Sequence, residues 1–256
     1  MYRIVIIGSG NVATHIALGL SSSCELLQVY SRNLAHAQRL AERVGIPLAT
    51  CDLNDLVDDA DIYLIAVSDD AIAGIVEAIP DNGALWLHTS GTTPLSVLKK
   101  HRKHCGVLYP MQSFSRELAV VWSDVHVFVE ANDTSSLNCV IEVSNLLTSH
   151  VTPCDSKQRQ VLHIAAVFSC NFANHMWAQA ASLLENHGLS FDAMLPLIHN
   201  TADKLNHLTP AQSQTGPAMR GDTKVMALHE AMLHGRQREI YELLSASILE
   251  LEQQKQ

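Results

Sequence analysis

The stretch that most constrains the fold lies at the start of the chain. An apolar run, Arg3–Ile7, breaks into Gly8-Ser9-Gly10-Asn11-Val12-Ala13 and passes into the helical spacing of Asn11–Leu20. An apolar strand that ends in Gly-x-Gly-x-x-Ala and opens a helix is the setting of a dinucleotide-binding turn. The first glycine permits the tight turn, the second lets a pyrophosphate approach the backbone, and Ala13 lets helix and strand pack closely. The helix start then offers free N–H groups and a positive dipole end to phosphate. The spacing alone would also fit a strand, turn and helix that bind nothing.

The alternation continues. Apolar strands are expected at 26–30, 47–49, 62–67, 84–88, 107–109 and 125–129, with helices at Leu34–Val44, 70–78 and 135–148. Continuous apolar runs separated by helical patterns argue for a parallel sheet covered on both faces. The fold class is therefore α/β, a doubly wound, mostly parallel Rossmann sheet. Beyond Asp155 the strand pattern stops. Asp155 can cap a long helix over 155–186, which His187-Gly188 ends, and helices follow at 192–208, 223–233 and from Arg236 to the C-terminus. The break at 149–154, containing Pro153, separates a dinucleotide-binding domain, 1–152, from an all-α C-terminal domain, 153–256.

With 256 residues, 47% of them hydrophobic and 17% charged, the chain can bury two domain cores. Its formal charge of −9 excludes nucleic acid as a natural partner. No apolar run approaches the roughly 20 residues needed to span a bilayer, and the N-terminal apolar run has no secretory cleavage pattern. A cytoplasmic protein is expected. Six dispersed cysteines without a C-x-x-C pair read as reduced, mostly buried thiols. His101 and His104 fall in the basic stretch 99–104, which reads as a solvated face rather than a metal site.

Cofactor choice is read at the end of the second strand. An NAD enzyme places Asp or Glu there to bond the ribose hydroxyls. This chain has Tyr30-Ser31-Arg32-Asn33. Arg32 can pair with a 2′-phosphate, and Ser31 and Asn33 can donate hydrogen bonds to it. Arg32 also fits an ordinary exposed helix start, but the charge favours NADP(H). Val67 and Ser68, and Thr89, Ser90 and Gly91, lie just past the ends of two strong strands, where a Rossmann sheet lines its ligand crevice. Ser68 can bond the cofactor and 89–91 can border the nicotinamide. Asp69 and Ser90 fit plain helix caps equally well.

Together these features resemble the NADP-dependent branch of the 6-phosphogluconate-dehydrogenase-like superfamily, with pyrroline-5-carboxylate reductase and deazaflavin-dependent NADP oxidoreductase as kin. More closely, the chain is similar to a family that joins a Rossmann-like domain to a helical C-terminal domain of unknown function. The matching stretches are Gly8–Ala13, His88-Thr89-Ser90-Gly91, Tyr109-Pro110-Met111-Gln112-Ser113-Phe114-Ser115, the run from His163 to His175, and Gln214-Thr215-Gly216-Pro217-Ala218-Met219-Arg220-Gly221-Asp222. The resemblance implies a helical second domain that dimerises, an active site between domains, and a small-molecule substrate contacted by Gln112.

The long helix places His163, Asn171, Asn174 and His175 on neighbouring faces by an α-helical count. A polar stripe in that apolar run fits either a catalytic cleft or a dimer interface. Hydride transfer to a carbonyl or imine requires a proton, and histidine serves as acid or base near neutrality. The superfamily implies lysine in that role. Lys204 is a candidate, although it fits a surface ion pair equally, and His163 stands where a lysine is expected. Thr215, Gly216 and Arg220 resemble a loop that holds a substrate carboxylate, and an Arg220–Asp222 contact is the plainer alternative. The reading is an NADP(H)-dependent oxidoreductase acting on a small carbonyl or imine that carries a carboxylate. An NADP(H)-binding sensor without turnover and a ketopantoate-reductase-like biosynthetic enzyme are the alternatives.

Overall fold

A computed structural model describes residues 1–253, so the last three residues of the expected C-terminal helix lie outside the described residues. Contacts divide the chain into two compact units, Met1–Asn171 and Phe172–Gln256.

The first unit runs β1 (Arg3–Ile7), α1 (Asn11–Leu20), β2 (Glu25–Tyr30), α2 (Leu34–Val44), β3 (Leu48–Thr50), β4 (Ile62–Ile65), α3 (Asp69–Ala78), β5 (Leu85–His88), α4 (Ser96–Lys99), β6 (His104–Met111), β7 (His126–Ala131), α5 (Thr134–Asn145), β8 (Val151–Pro153) and α6 (Ser156–Ala166). The strands form one sheet in the order β3-β2-β1-β4-β5-β6-β7-β8. All neighbours are parallel except β6 and β7, where Gly106 to Met111 run against Ala131 to His126. Successive strand residues face opposite sides. In β1, Ile4 and Ile6 join the core on one face, while Val5 and Ile7 join the core on the other. All four are fully buried, which is why the strand reads as an unbroken apolar run.

Four sequence expectations need correction. The break at 149–154 contains β8, which pairs in parallel with β7 (Val127 opposite Val151). Three residues with a proline carry almost no strand pattern, and a proline is tolerated there because β8 is an edge. The basic stretch 99–104 is only partly solvated. Arg102 is 4% exposed, lies 4.1 Å above the Trp86 ring and donates to the carbonyls of Val76 and Ile79 near the end of α3. Of the cysteines, only Cys24 and Cys105 are buried, and Cys51 and Cys170 are exposed.

The fourth correction concerns the long helix. Asp155 caps it as expected, in a reciprocal box with Gln158. Residues Val167–Phe172 then adopt π-helix geometry before α7 (Ala173–Glu185) resumes. A π segment adds residues to the turn, so a 3.6-residue count does not carry from His163 to Asn171. The contact division falls in this segment rather than at 152/153, because α6 is tied to the sheet by Arg159.

The second unit comprises α7, α8 (Leu195–Asp203), α9 (Pro210–Ser213), α10 (Thr223–Met232) and α11 (Gly235–Gln253). The expected helix 192–208 is α8 flanked by short 3₁₀ turns, Phe191–Met194 and Lys204–Asn206. Ala218 and Ser245 are its buried residues among those described. No helix among the described residues is long and apolar enough to cross a membrane.

Candidate functional site

The glycine turn joins β1 to α1 at the centre of the sheet, where the strand order reverses between β1 and β4. Gly8 has φ +128° and lies so close to the Ala66 carbonyl that a Cβ would overlap it. Only glycine fits there. Gly10 is the N-cap of α1 and has open space on its Cα, with no atom within 4 Å of an added Cβ. No side chain caps α1 and its first turn holds no acid, so its leading N–H groups are left for an anion.

A cleft of about 880 Å³ opens over this turn. It is lined by Gly8, Ser9, Gly10, Asn11 and Val12 from the turn, Ser31, Arg32 and Asn33 from the end of β2, and Val67, Ser68 and Thr89 past β4 and β5. Of the expected cofactor residues, Ser90 and Gly91 do not line it. The Ser9 hydroxyl donates to the Ser31 hydroxyl at 2.9 Å, tying the turn to the end of β2. Asn33 caps α2 by accepting from the N–H groups of Ala35 and His36. Gln112, expected at the substrate, lines the same cleft, together with Phe114, His36 and Arg116, which sequence reasoning did not single out.

Ser90 turns out to be structural. Its hydroxyl accepts from the N–H groups of Thr92 and Thr93, while Asp69 accepts from the Thr92 hydroxyl. Beneath this loop lies Arg159 of α6, with no exposed side-chain surface. It donates to the carbonyls of Ser90 (3.1 Å) and Thr93 (2.6 Å) and pairs with Glu130 of β7. Nothing in a single sequence distinguishes this arginine from an exposed one on an amphipathic helix.

Gly91 meets His163. A Cβ on the glycine would stand 2.5 Å from the imidazole Nδ1. That nitrogen is 3.0 Å from the Tyr109 hydroxyl, and the two rings meet edge to face. Tyr109 is 8% exposed, and burial pushes its phenol upward, so it remains protonated. His163 is half-buried. His88, two residues before Ser90, is different. It is fully buried, its Nδ1 accepts from the Ser90 N–H, and its Nε2 has no partner among the described residues. Burial, aided by the nearby Arg159 charge, pushes its pKa down to about 3, so the ring is neutral.

The remaining expected residues are less engaged. Asn171 is exposed in the π segment. In the second unit, His175 contacts Gln179 at 3.2 Å, and Lys204 is half-buried without an ion pair among the described residues. Thr215 and Gly216 precede Arg220 in a turn where Gly216 has φ +110°. Arg220 is exposed and does not pair with Asp222, which instead caps α10 by accepting from the Val225 N–H.

A Rossmann sheet with an uncapped phosphate helix, and an arginine where an NAD enzyme carries an acid, defines an NADP-dependent oxidoreductase. Residues 3–85 match the family described as NADP oxidoreductase, coenzyme F420-dependent, and residues 125–248 match a domain of unknown function, DUF2520. A "putative NADP oxidoreductase" from Bacteroides fragilis is 41% identical over 97% of this chain and 98% of that one, with a TM-score of 0.90. The chain belongs to this NADP oxidoreductase family, in which a Rossmann-like domain precedes a DUF2520 domain. A Thermotoga maritima protein is 20% identical, covering 98% of this chain and 99% of its own, with a TM-score of 0.79. A reductive aminase from Aspergillus terreus, solved with NADPH and ethyl levulinate, is 15% identical over 90% of this chain and 78% of that one, with a TM-score of 0.61. These two likenesses carry the fold. No curated protein matches the sequence.

Proposed function

We propose that the protein reduces a small carbonyl or imine compound bearing a carboxylate, with His163 supplying the proton. The observation that carries this reading is the Tyr109–His163 hydrogen bond, with the imidazole seated on Gly91 two residues past the cleft-lining Thr89. NADPH supplies the hydride to the substrate carbon, and the oxygen or nitrogen of the reduced bond must take up a proton. An imidazole accessible enough to recharge from water, and held by a buried phenol, suits that task. Its other nitrogen, Nε2, is left for the substrate.

The helical unit supports a homodimer. Leu189, Leu197, Leu228 and Leu243 are each at least 58% exposed, and that unit buries Ala218 and Ser245 alone among its described residues. A helical array with so little buried apolar surface gains stability from a second copy. Light scattering should give twice the chain mass, and a monomer at micromolar concentration overturns this part.

The activity is tested by following NADPH oxidation against 2-keto acids, cyclic imines and aldehydes. Turnover of a carboxylated member, lost in His163→Gln with NADPH affinity kept, is the expected result. Tight NADPH binding with no turnover across the panel overturns the reading in favour of a binding protein.

A further inference from the structure

The segment after β6 returns over the phosphate turn and is fastened to α1 at two successive carbonyls. The Asn11 amide donates to the Phe114 carbonyl at 2.9 Å, and His15 Nε2 donates to the Ser115 carbonyl at 2.7 Å. His15 is 3% exposed, and its ring stacks on Phe114 with centroids 5.4 Å apart. Phe114 also leans on Trp122. The next residue is Arg116.

Arg116 lines the dinucleotide cleft and also a smaller adjoining cavity with Ser9, His36, Arg39 and Arg43. Neither cavity is lined by a carboxylate. Among the described residues, none of Arg32, Arg39, Arg43 and Arg116 forms an ion pair, although the chain carries a formal charge of −9. Unpaired cations gathered at one mouth of an acidic protein mark a place where an anion binds. The pyrophosphate end of the cleft is served by the α1 N-terminus. The second cavity instead adjoins α2, which starts at the Ser31-Arg32-Asn33 corner where the adenosine ribose of a Rossmann ligand lies.

We propose that Arg116, carried by the strap over α1, is a second cation for the 2′-phosphate of NADP(H), joining Arg32 in the lining of the same cleft. The cofactor phosphate is then gripped from two separate parts of the chain, the β2 end and the β6–β7 connection. Asn11 and His15 are positioning residues for this grip.

The test is calorimetric titration of the full chain with 2′,5′-ADP and with 5′-AMP, which differ by the 2′-phosphate. Unaltered protein should bind 2′,5′-ADP far more tightly. Arg116→Ala should weaken 2′,5′-ADP about 10-fold or more while leaving 5′-AMP within about twofold, as expected for one charge-assisted hydrogen bond. Arg116→Lys should restore part of the loss, and Arg32→Ala with Arg116→Ala should erase the preference. Arg116 is exposed, so its removal leaves the core intact. An unchanged preference in Arg116→Ala, or equal weakening of both ligands, overturns the proposal. No preference in the unaltered protein would overturn the 2′-phosphate assignment for Arg32 as well.

Discussion

Gly91 is the seat of His163: the imidazole Nδ1 that meets the Tyr109 hydroxyl occupies the space where any other residue at position 91 would place its Cβ. The glycine of the His-Thr-Ser-Gly stretch therefore gives the histidine its room.

Gly91→Ala should push the ring away and break the hydrogen bond to Tyr109. Reduction rates should fall about 100-fold, within the range that positioned acid catalysis supplies, while NADPH affinity stays within about twofold. Tyr109→Phe should lower the rate less, since it removes the bond but keeps the packing. Stopped-flow rates together with NADPH fluorescence titrations separate the two effects. A loss of affinity equal to the loss of rate would show that the glycine serves the cofactor instead.

The two glycines of the phosphate turn should fail differently. Gly8→Ala combines a positive φ with overlap on the Ala66 carbonyl, so it should lower the melting temperature and abolish NADPH binding together. Gly10→Ala meets nothing in the protein. Its melting temperature should hold while NADPH binding is lost, because the methyl fills the approach of the pyrophosphate. Thermal melts with and without NADPH check both.

Arg159→Met leaves Glu130 without its cation and the carbonyls of Ser90 and Thr93 without donors. Breaking a buried ion pair on one side costs about 3–5 kcal/mol. Urea denaturation should show that loss, and Glu130→Gln in the same chain should recover part of it. Equal losses in the single and double variants would mean the pair itself contributes little.

His88 makes stability depend on acidity. Its pKa is about 3 in the fold against an ordinary 6.5, so between those values the unfolded chain binds a proton that the native chain refuses. Stability should therefore fall as pH drops from 6.5 towards 3, by up to about 1.4 kcal/mol per pH unit from this residue. Above pH 6.5 the residue contributes no slope. His88→Gln should flatten the curve in that window, and unchanged denaturation slopes would remove His88 as the source.

Much of the first unit is legible in the chain itself. Strands buried on both faces read as nearly continuous apolar runs, so β1, β4 and β5 announce themselves, and the turn after β1 accepts only glycine at position 8. Arg32 is equally plain, because charge at the end of β2 is a local property. The edge strand β8 is hidden because three residues with a proline carry no period. Arg102 and Arg159 look like surface cations, since a sequence shows their charge but not the carbonyls of Val76, Ile79, Ser90 and Thr93 that let them be buried. The expected stripe through His163, Asn171 and His175 assumes 3.6 residues per turn, and the π segment breaks that count.

The sequence by itself determines the dinucleotide turn, the Rossmann alternation and the cationic end of β2, because each depends on residues adjacent along the chain or one strand apart. Tertiary structure decides which distant groups meet: Tyr109 with His163, Arg159 with Glu130, and His15 with the strap that carries Arg116. Those pairs lie 54, 29 and 100 residues apart. No local periodicity records such contacts, since they form only when the sheet brings the ends of its strands together.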